Sequence, residues 1–391
     1  MTNQYYNELS KCVRCGACKA LCPTYLAALD ETMGARGRIA LLQAIYDKRI
    51  APQKKGSEML FSCMLCGACR DTCPTGIDIP EAIYYARANL KDFHNRKKFL
   101  RKAINLSLSR LDVVLPVLRA FQKLFYPILY KTGKLRYIPD ITLPPFRNRA
   151  QVYKDTKRIG RIALFTGCSI NYFYHRLGEA LLNILLKIGY EVVILKGEVC
   201  CGAPLRSLGF EEEAIRFAKR NIELFNKVNS EAILCMCPTC TMTIKRQYPL
   251  LAGDTIEKIM DVNEFFIKKD IVSKLKADRR VITYHDPCHL SYGLGIKSEP
   301  REILKAIEGL EFVEMSGSED CCGFAGFFSL DFKELSKTIG RKKIENIHNT
   351  GADTLVTSCP GCIMQMEDLR RENSSGINIM HMVEIIDEAM H

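Results

Sequence analysis

Cys12-Val-Arg-Cys15-Gly-Ala-Cys18-Lys-Ala-Leu-Cys22-Pro23 and Cys63-Met-Leu-Cys66-Gly-Ala-Cys69-Arg-Asp-Thr-Cys73-Pro74 are two copies of one arrangement, C-x2-C-x2-C-x3-C-P. Three thiolates two residues apart let a short loop wrap three corners of a cubane cluster, and proline turns the chain away after the fourth. Zinc takes four ligands in a closed tetrahedral site, and two complete copies of this run fit it poorly. The spacing therefore predicts two cubane [4Fe–4S] clusters within residues 1–90.

Each copy resembles the run found in bacterial ferredoxins. In two-cluster ferredoxins the fourth cysteine ligates the other cluster. The resemblance therefore implies one set of Cys12, Cys15, Cys18 and Cys73, and a second of Cys22, Cys63, Cys66 and Cys69. Forty residues separate Cys22 from Cys63, and within them Arg36-Gly-Arg38-Ile-Ala-Leu-Leu-Gln-Ala-Ile-Tyr reads as helix. Its arginines are either a solvated helix face or charges that offset a cluster and tune its potential.

At 391 residues the chain suggests two to three domains, and its composition, 47% hydrophobic and 26% charged, is that of an ordinary globular protein. Nineteen cysteines are the anomaly. A disulfide framework is disfavoured by chain length, by the odd count, and by a start, Met-Thr-Asn-Gln-Tyr-Tyr-Asn, without an apolar secretory core. A reducing cytoplasm is the expected compartment. The most apolar stretch, Val113–Tyr130, carries Pro116, Arg119, Lys123 and Pro127, which argues against a span and against one long helix.

The formal charge of +12 is concentrated in one place. Residues 91–150 hold fourteen Lys/Arg against Asp92, Asp112 and Asp140. Thiolate-bound clusters are themselves negative, so the overall charge gives no reason to expect nucleic-acid binding. Arg96, Lys97, Lys98, Lys131, Lys134 and Arg136 flank the apolar stretch. This segment suits an anionic membrane surface or a docking partner, set against a packed helix with a solvated basic face.

Beyond it, residues 156–272 and 273–391 are two copies of one pattern, joined to the N-terminal domain by the basic segment 91–155. Short apolar runs alternate with helical spacing. Arg161–Phe165 leads to Cys168, Glu191–Leu195 to Cys200-Cys201-Gly202, and Ala232–Cys235 to Cys237-Pro-Thr-Cys240. In the second copy Val281–Tyr284 leads to Cys288, Glu311–Met315 to Cys321-Cys322-Gly323, and Thr354–Thr357 to Cys359-Pro-Gly-Cys362. Matching cysteines lie 120, 121 and 122 residues apart, the mark of an internal duplication. The expected fold is an α-helical two-cluster ferredoxin domain followed by a duplicated α/β domain with parallel sheets. Every cysteine group follows a strand end, where parallel α/β sheets place their sites.

Five thiolates converging on one crevice point to metal or to redox-active thiols, with Cys200, Cys201, Cys321 and Cys322 the candidate redox pairs. Cys235 lies outside the pattern and reads as a core thiol. His285 and His289 flank Cys288 and read as orienting or structural residues. The two C-C-G copies resemble the cysteine-rich domains of heterodisulfide reductase catalytic subunits. With the N-terminal motifs and Gly34-Ala-Arg-Gly-Arg-Ile, the whole order most resembles the glycolate oxidase iron–sulfur subunit family.

That resemblance implies a subunit taking electrons from an FAD-binding 2-hydroxyacid dehydrogenase and passing them to quinone or another carrier. Both C-C-G sets are complete, as in the heterodisulfide reductase type. This implies noncubane [4Fe–4S] clusters on Cys168, Cys200, Cys201, Cys237 and Cys240, and on Cys288, Cys321, Cys322, Cys359 and Cys362, with a disulfide as the alternative substrate. No glycine-rich nucleotide loop follows a predicted strand, so neither flavin nor nucleotide is expected on this chain.

Overall fold

The computed structural model describes residues 3–93, 98–132, 136–149, 152–153, 159–373 and 375–391. Arg96, Lys97 and Lys134 of the basic flanks lie outside them. Helices Asn3–Ser10, Ala35–Tyr46, Lys54–Phe61 and Ile79–Leu90 build the N-terminal part. Their apolar stripes close around Leu9, Ile39, Leu42, Leu60 and Ile83, all buried. Asp78 starts the last of these helices by accepting the Glu81 N–H at 3.1 Å, with Pro80 in the first turn. The cysteine runs occupy the connections between these helices, including the short helices Ala17–Ala20 and Ala68–Asp71 that carry Cys18 and Cys69.

The duplicated half forms two sheets. Strands β1 (Val152–Tyr153), β2 (Gly160–Phe165), β3 (Tyr190–Ile194), β4 (Ala232–Cys235) and β5 (Ile259–Asp261) make the first, in the order β1-β3-β2-β4-β5. Only β1 is antiparallel. Strands β6 (Lys276–His285), β7 (Glu308–Phe312), β8 (Thr354–Thr357) and β9 (Asn378–His381) make the second, in the order β7-β6-β8-β9, all parallel. Leaving β1 aside, both sheets place the second strand beside the first and then add the third and fourth on its other side. Strand order thus repeats with the cysteine spacing. Helices on both faces explain why β4 and β8 are buried at every residue and do not alternate apolar with exposed polar positions.

Between the two halves, Lys98–Ser109 and Leu111–Lys131 are helices. The second corrects the expectation that Pro116 and Pro127 interrupt the segment, because 21 residues run through both. Leu115 and Gln122 are buried on its inner side. The Gln122 amide donates to the Ile138 and Pro139 carbonyls and accepts the Ile141 N–H. These bonds tie the middle of the helix, between its two prolines, to the turn at Ile138–Ile141. Among the described residues, 111–130 is also one stretch long and apolar enough to span a membrane by length and composition, and only 6% of it is buried.

Candidate functional site

In the N-terminal part the loops wrap two cavities. Cys12, Cys15, Cys18 and Cys73 line one, and Cys22, Cys63, Cys66 and Cys69 line the other. Each quartet thus draws its fourth thiol from the other run. Both runs use the same backbone turn, with Arg14 and Leu65 at φ 57° and 58°, and Gly16 and Gly67 at 86° and 88°. Arg36 lines the first cavity and donates to the Arg14 carbonyl at 3.3 Å, while its guanidinium pairs with Glu31. Arg38 is buried at the second, bonded to Thr24, Ser62 and the Met59 carbonyl. Four thiols per cavity, with a guanidinium at each wall, fit an anionic [4Fe–4S] group. Burial pushes the Cys66 and Cys69 thiols well up, which is the protonated state that cluster iron displaces.

In each sheet the thiols sit past the carboxyl ends of the strands, around the place where the strand order reverses. After β2, Cys168 lies 4.0 Å from Cys200. Hydrogen bonds from Cys200 and Cys240 pull the Cys201 thiol down to about 6. After β6, the Cys322 and Cys362 sulfurs are 3.4 Å apart, and hydrogen bonds from Cys321 and Cys362 hold Cys322 well below its usual range. Gly202 and Gly323 close the two Cys-Cys turns at φ 91° and 92°, a conformation costly to any side chain. Cys235 is fully buried at the end of β4, in the same apolar cluster as Cys200, Cys201 and Cys240.

The four groups form a succession. Ile79 lines both N-terminal cavities. Cys66 packs in one apolar cluster with Cys321, Cys288 and Tyr292. The Cys237 and Cys359 thiols lie close enough across the two repeats to perturb each other's ionisation. The second-repeat thiols therefore neighbour both the second N-terminal set and the thiols of the first repeat. Arg70 fixes one joint by donating to the Tyr292 carbonyl at 2.6 Å.

Among known protein families, the 4Fe-4S dicluster domain matches residues 8–77, and the cysteine-rich domain CCG matches twice, at 162–245 and 282–367. A probable glycolate oxidase iron–sulfur subunit of Bacillus subtilis is 30% identical over 98% of this chain and 94% of its own length. This chain belongs to that family of iron–sulfur subunits. The CCG subunit is also 28% identical, over 98% of its length and 94% of the relative, to a dihydromethanophenazine:CoB–CoM heterodisulfide reductase subunit of Methanosarcina barkeri. A solved hypothetical protein from Helicobacter pylori shares the fold, with a TM-score of 0.59 at 12% identity, covering 100% of this chain and 73% of that one.

Around their thiols the two repeats of this CCG subunit are not alike. Phe165 ends β2, whereas His285 ends β6 at the matching register. The Ser318 carbonyl can only accept, so His285 Nδ1 carries the proton donated to it at 3.1 Å. Its Nε2 faces Cys362 at 3.3 Å, and His285, Cys322 and Cys362 present ligand atoms within 4.8 Å of one another. His289 instead ties three parts together, donating to Leu65 of the N-terminal part at 3.2 Å and accepting from Thr239 of the first repeat at 2.9 Å.

In the first repeat, buried Glu198 holds the Cys168 loop through the Thr166 and Gly167 N–H groups and Asn171, and burial raises its carboxyl to about 7. In the second, buried Lys343 donates to the Gly317 and Ser318 carbonyls. An acid thus supports one site and a base the other. Spacing alone does not reveal Glu198, Lys343 or Arg87. Arg87 is buried, and it bonds the Leu60, Phe61 and Cys63 carbonyls and reaches Ser207 of the first repeat at 2.8 Å.

Proposed function

We propose that this chain is the electron-relay subunit of an FAD-dependent 2-hydroxyacid dehydrogenase of glycolate or lactate type, working at the cytoplasmic face of the cell. A partner flavoprotein oxidises the hydroxyacid to the oxoacid and hands on two electrons, one at a time. Clusters bound here supply reversible one-electron storage. Cys12, Cys15, Cys18 and Cys73 would hold one cubane, and Cys22, Cys63, Cys66 and Cys69 the other. The five-thiol groups of Cys168 and Cys288 would each hold a noncubane [4Fe–4S] cluster. Quinone or another carrier would take the electrons onward.

One observation carries this reading: the unbroken succession from Cys15, the exposed thiol of the first set, through Cys66, Cys288 and Cys359 to Cys237. Conduction needs such contiguity. The test is co-purification with an FAD-binding partner, followed by hydroxyacid-to-dye activity of the pair. Cys66→Ser should abolish that activity while the pair stays assembled. Undiminished activity in that variant would refute the relay.

A second reading is favoured by the completeness of both five-thiol groups and by their meeting at Cys237 and Cys359. It makes the chain a heterodisulfide-reductase-like subunit that cleaves a disulfide between the two groups. Disulfide turnover by the isolated chain, with thiol-dependent noncubane paramagnetic signals, would select it over the relay.

A further inference from the structure

The helix Leu111–Lys131 is used by neither reading, and it carries seven exposed large apolar side chains. Its inner side is fully engaged. Gln122 holds the Ile138–Ile141 turn, the Tyr126 hydroxyl accepts the Ile138 N–H at 2.8 Å, and Asp112 accepts from Arg147 and from the Tyr172 hydroxyl. The outer side is bare. Val113 is 67% exposed, Val117 70%, Leu124 68% and Ile128 63%, with Leu118, Phe121 and Phe125 beside them. Those positions recur at three- and four-residue intervals and form one stripe along the whole helix. A soluble surface rarely exposes a contiguous apolar patch of this extent unless something covers it.

The charges say what covers it. Exposed Arg110 precedes the helix, and exposed Lys123 stands beside the stripe. The surrounding segment 91–150 carries an excess of eleven positive charges. Apolar side chains edged by basic ones match the acyl and headgroup layers of an anionic bilayer. A transmembrane position is excluded by the inner side, whose bonds to Ile138, Arg147 and Tyr172 fix the helix along the protein.

We propose that this stripe lies in the headgroup boundary of an anionic membrane, with the helix axis parallel to the surface. The docking stands independently of the relay reading, but its consequence rests on that reading. An open cavity of about 540 Å³ lies beside the first turns of the helix, lined by Asp112, Pro116, Leu143, Pro144, Pro145 and Asn148. Tyr172, bonded to Asp112, ends the six-residue helix that begins at Gly167 and carries Cys168. A docked molecule would therefore present its first-repeat site, the end of the succession, to carriers dissolved in the bilayer.

The chain has no tryptophan, so Phe125→Trp gives a single reporter on the stripe. The cluster-loaded protein should sediment with phosphatidylcholine vesicles containing phosphatidylglycerol, less so in high salt, and weakly with phosphatidylcholine alone. The reporter should shift to the blue and be quenched by acyl-brominated lipid. Leu124→Glu should weaken retention at least about tenfold, leaving iron content and melting temperature as in the parent because the position is exposed. Failure of the parent protein to sediment with phosphatidylglycerol vesicles at low salt would overturn the proposal. So would unchanged retention of Leu124→Glu. A parent dimer that this variant splits, without vesicle binding, would assign the stripe to a second copy instead. None of these readouts depends on electron transfer, so the docking and the relay fail separately.

Discussion

Gly202 and Gly323 hold the same left-handed turn after a Cys-Cys pair, yet their surroundings differ. A Cβ on Gly202 would meet its nearest atom, in Ala214, at 3.5 Å, whereas on Gly323 it would strike the Ser336 carbonyl oxygen at 2.5 Å. Gly202→Ala should therefore cost about 1 kcal/mol of backbone strain, and Gly323→Ala about 2–3 kcal/mol because the chain must also move. Denaturant melts of the two variants should rank them in that order. His381 gives a pH-dependent counterpart. It is fully buried at the end of β9, donates to the Met236 carbonyl at 3.0 Å and accepts the Val383 N–H. Burial lowers its pKa from 6.5 to about 4. The unfolded chain binds the proton first, so stability is complete above pH 6.5 and falls by about 3 kcal/mol as pH drops through 4. His381→Gln should flatten the melting-temperature profile over that window, and an unchanged slope would show that another group governs it.

Elements were legible where burial imposes a pattern. β4 and β8 are four-residue buried runs, Ala-Ile-Leu-Cys and Thr-Leu-Val-Thr, each one residue short of a C-x-x-C, and both were readable to the residue. β5 and β9, Ile-Met-Asp and Asn-Ile-Met-His, are too short and too polar at their ends to stand out, though they complete each sheet. The helix through Pro116 and Pro127 was hidden for another reason. Its inner face is held by partners remote in sequence, and tertiary bonds of that kind outweigh a local propensity. Arg136 is the strongest of these joints between elements. It is buried against Asp368 at 2.6 Å and also bonds Gln365, Ser336 and the Ser329 carbonyl. Arg136→Met should cost about 3–5 kcal/mol by stranding a buried carboxylate. The double variant Arg136→Met with Asp368→Leu should recover most of that in the same melt, and a double variant no better than the single would show that Arg136 acts through its other bonds.

At the scale of the whole molecule the cysteine spacing sorts the thiols into proposed groups but does not order the groups. Nothing in the spacing pairs Cys66 with Cys288, which follows it by more than two hundred residues. The packing of Met64, Cys66, Tyr292 and Cys321 and the Arg70–Tyr292 bond bring those two groups together in three dimensions. The same packing places an imidazole and a buried lysine at the second repeat, and a buried carboxylate at the first. Clusters there would differ in potential, since neighbouring charge and hydrogen bonds set it. The central claim is that all four thiol groups hold clusters in series. Iron and sulfide stoichiometry of the anaerobically purified chain, read together with its paramagnetic spectra, tests it most directly. The expected result is about sixteen iron atoms per chain and two distinct noncubane signals beside the cubane ones. About eight iron atoms, with cubane signals alone, would contradict it.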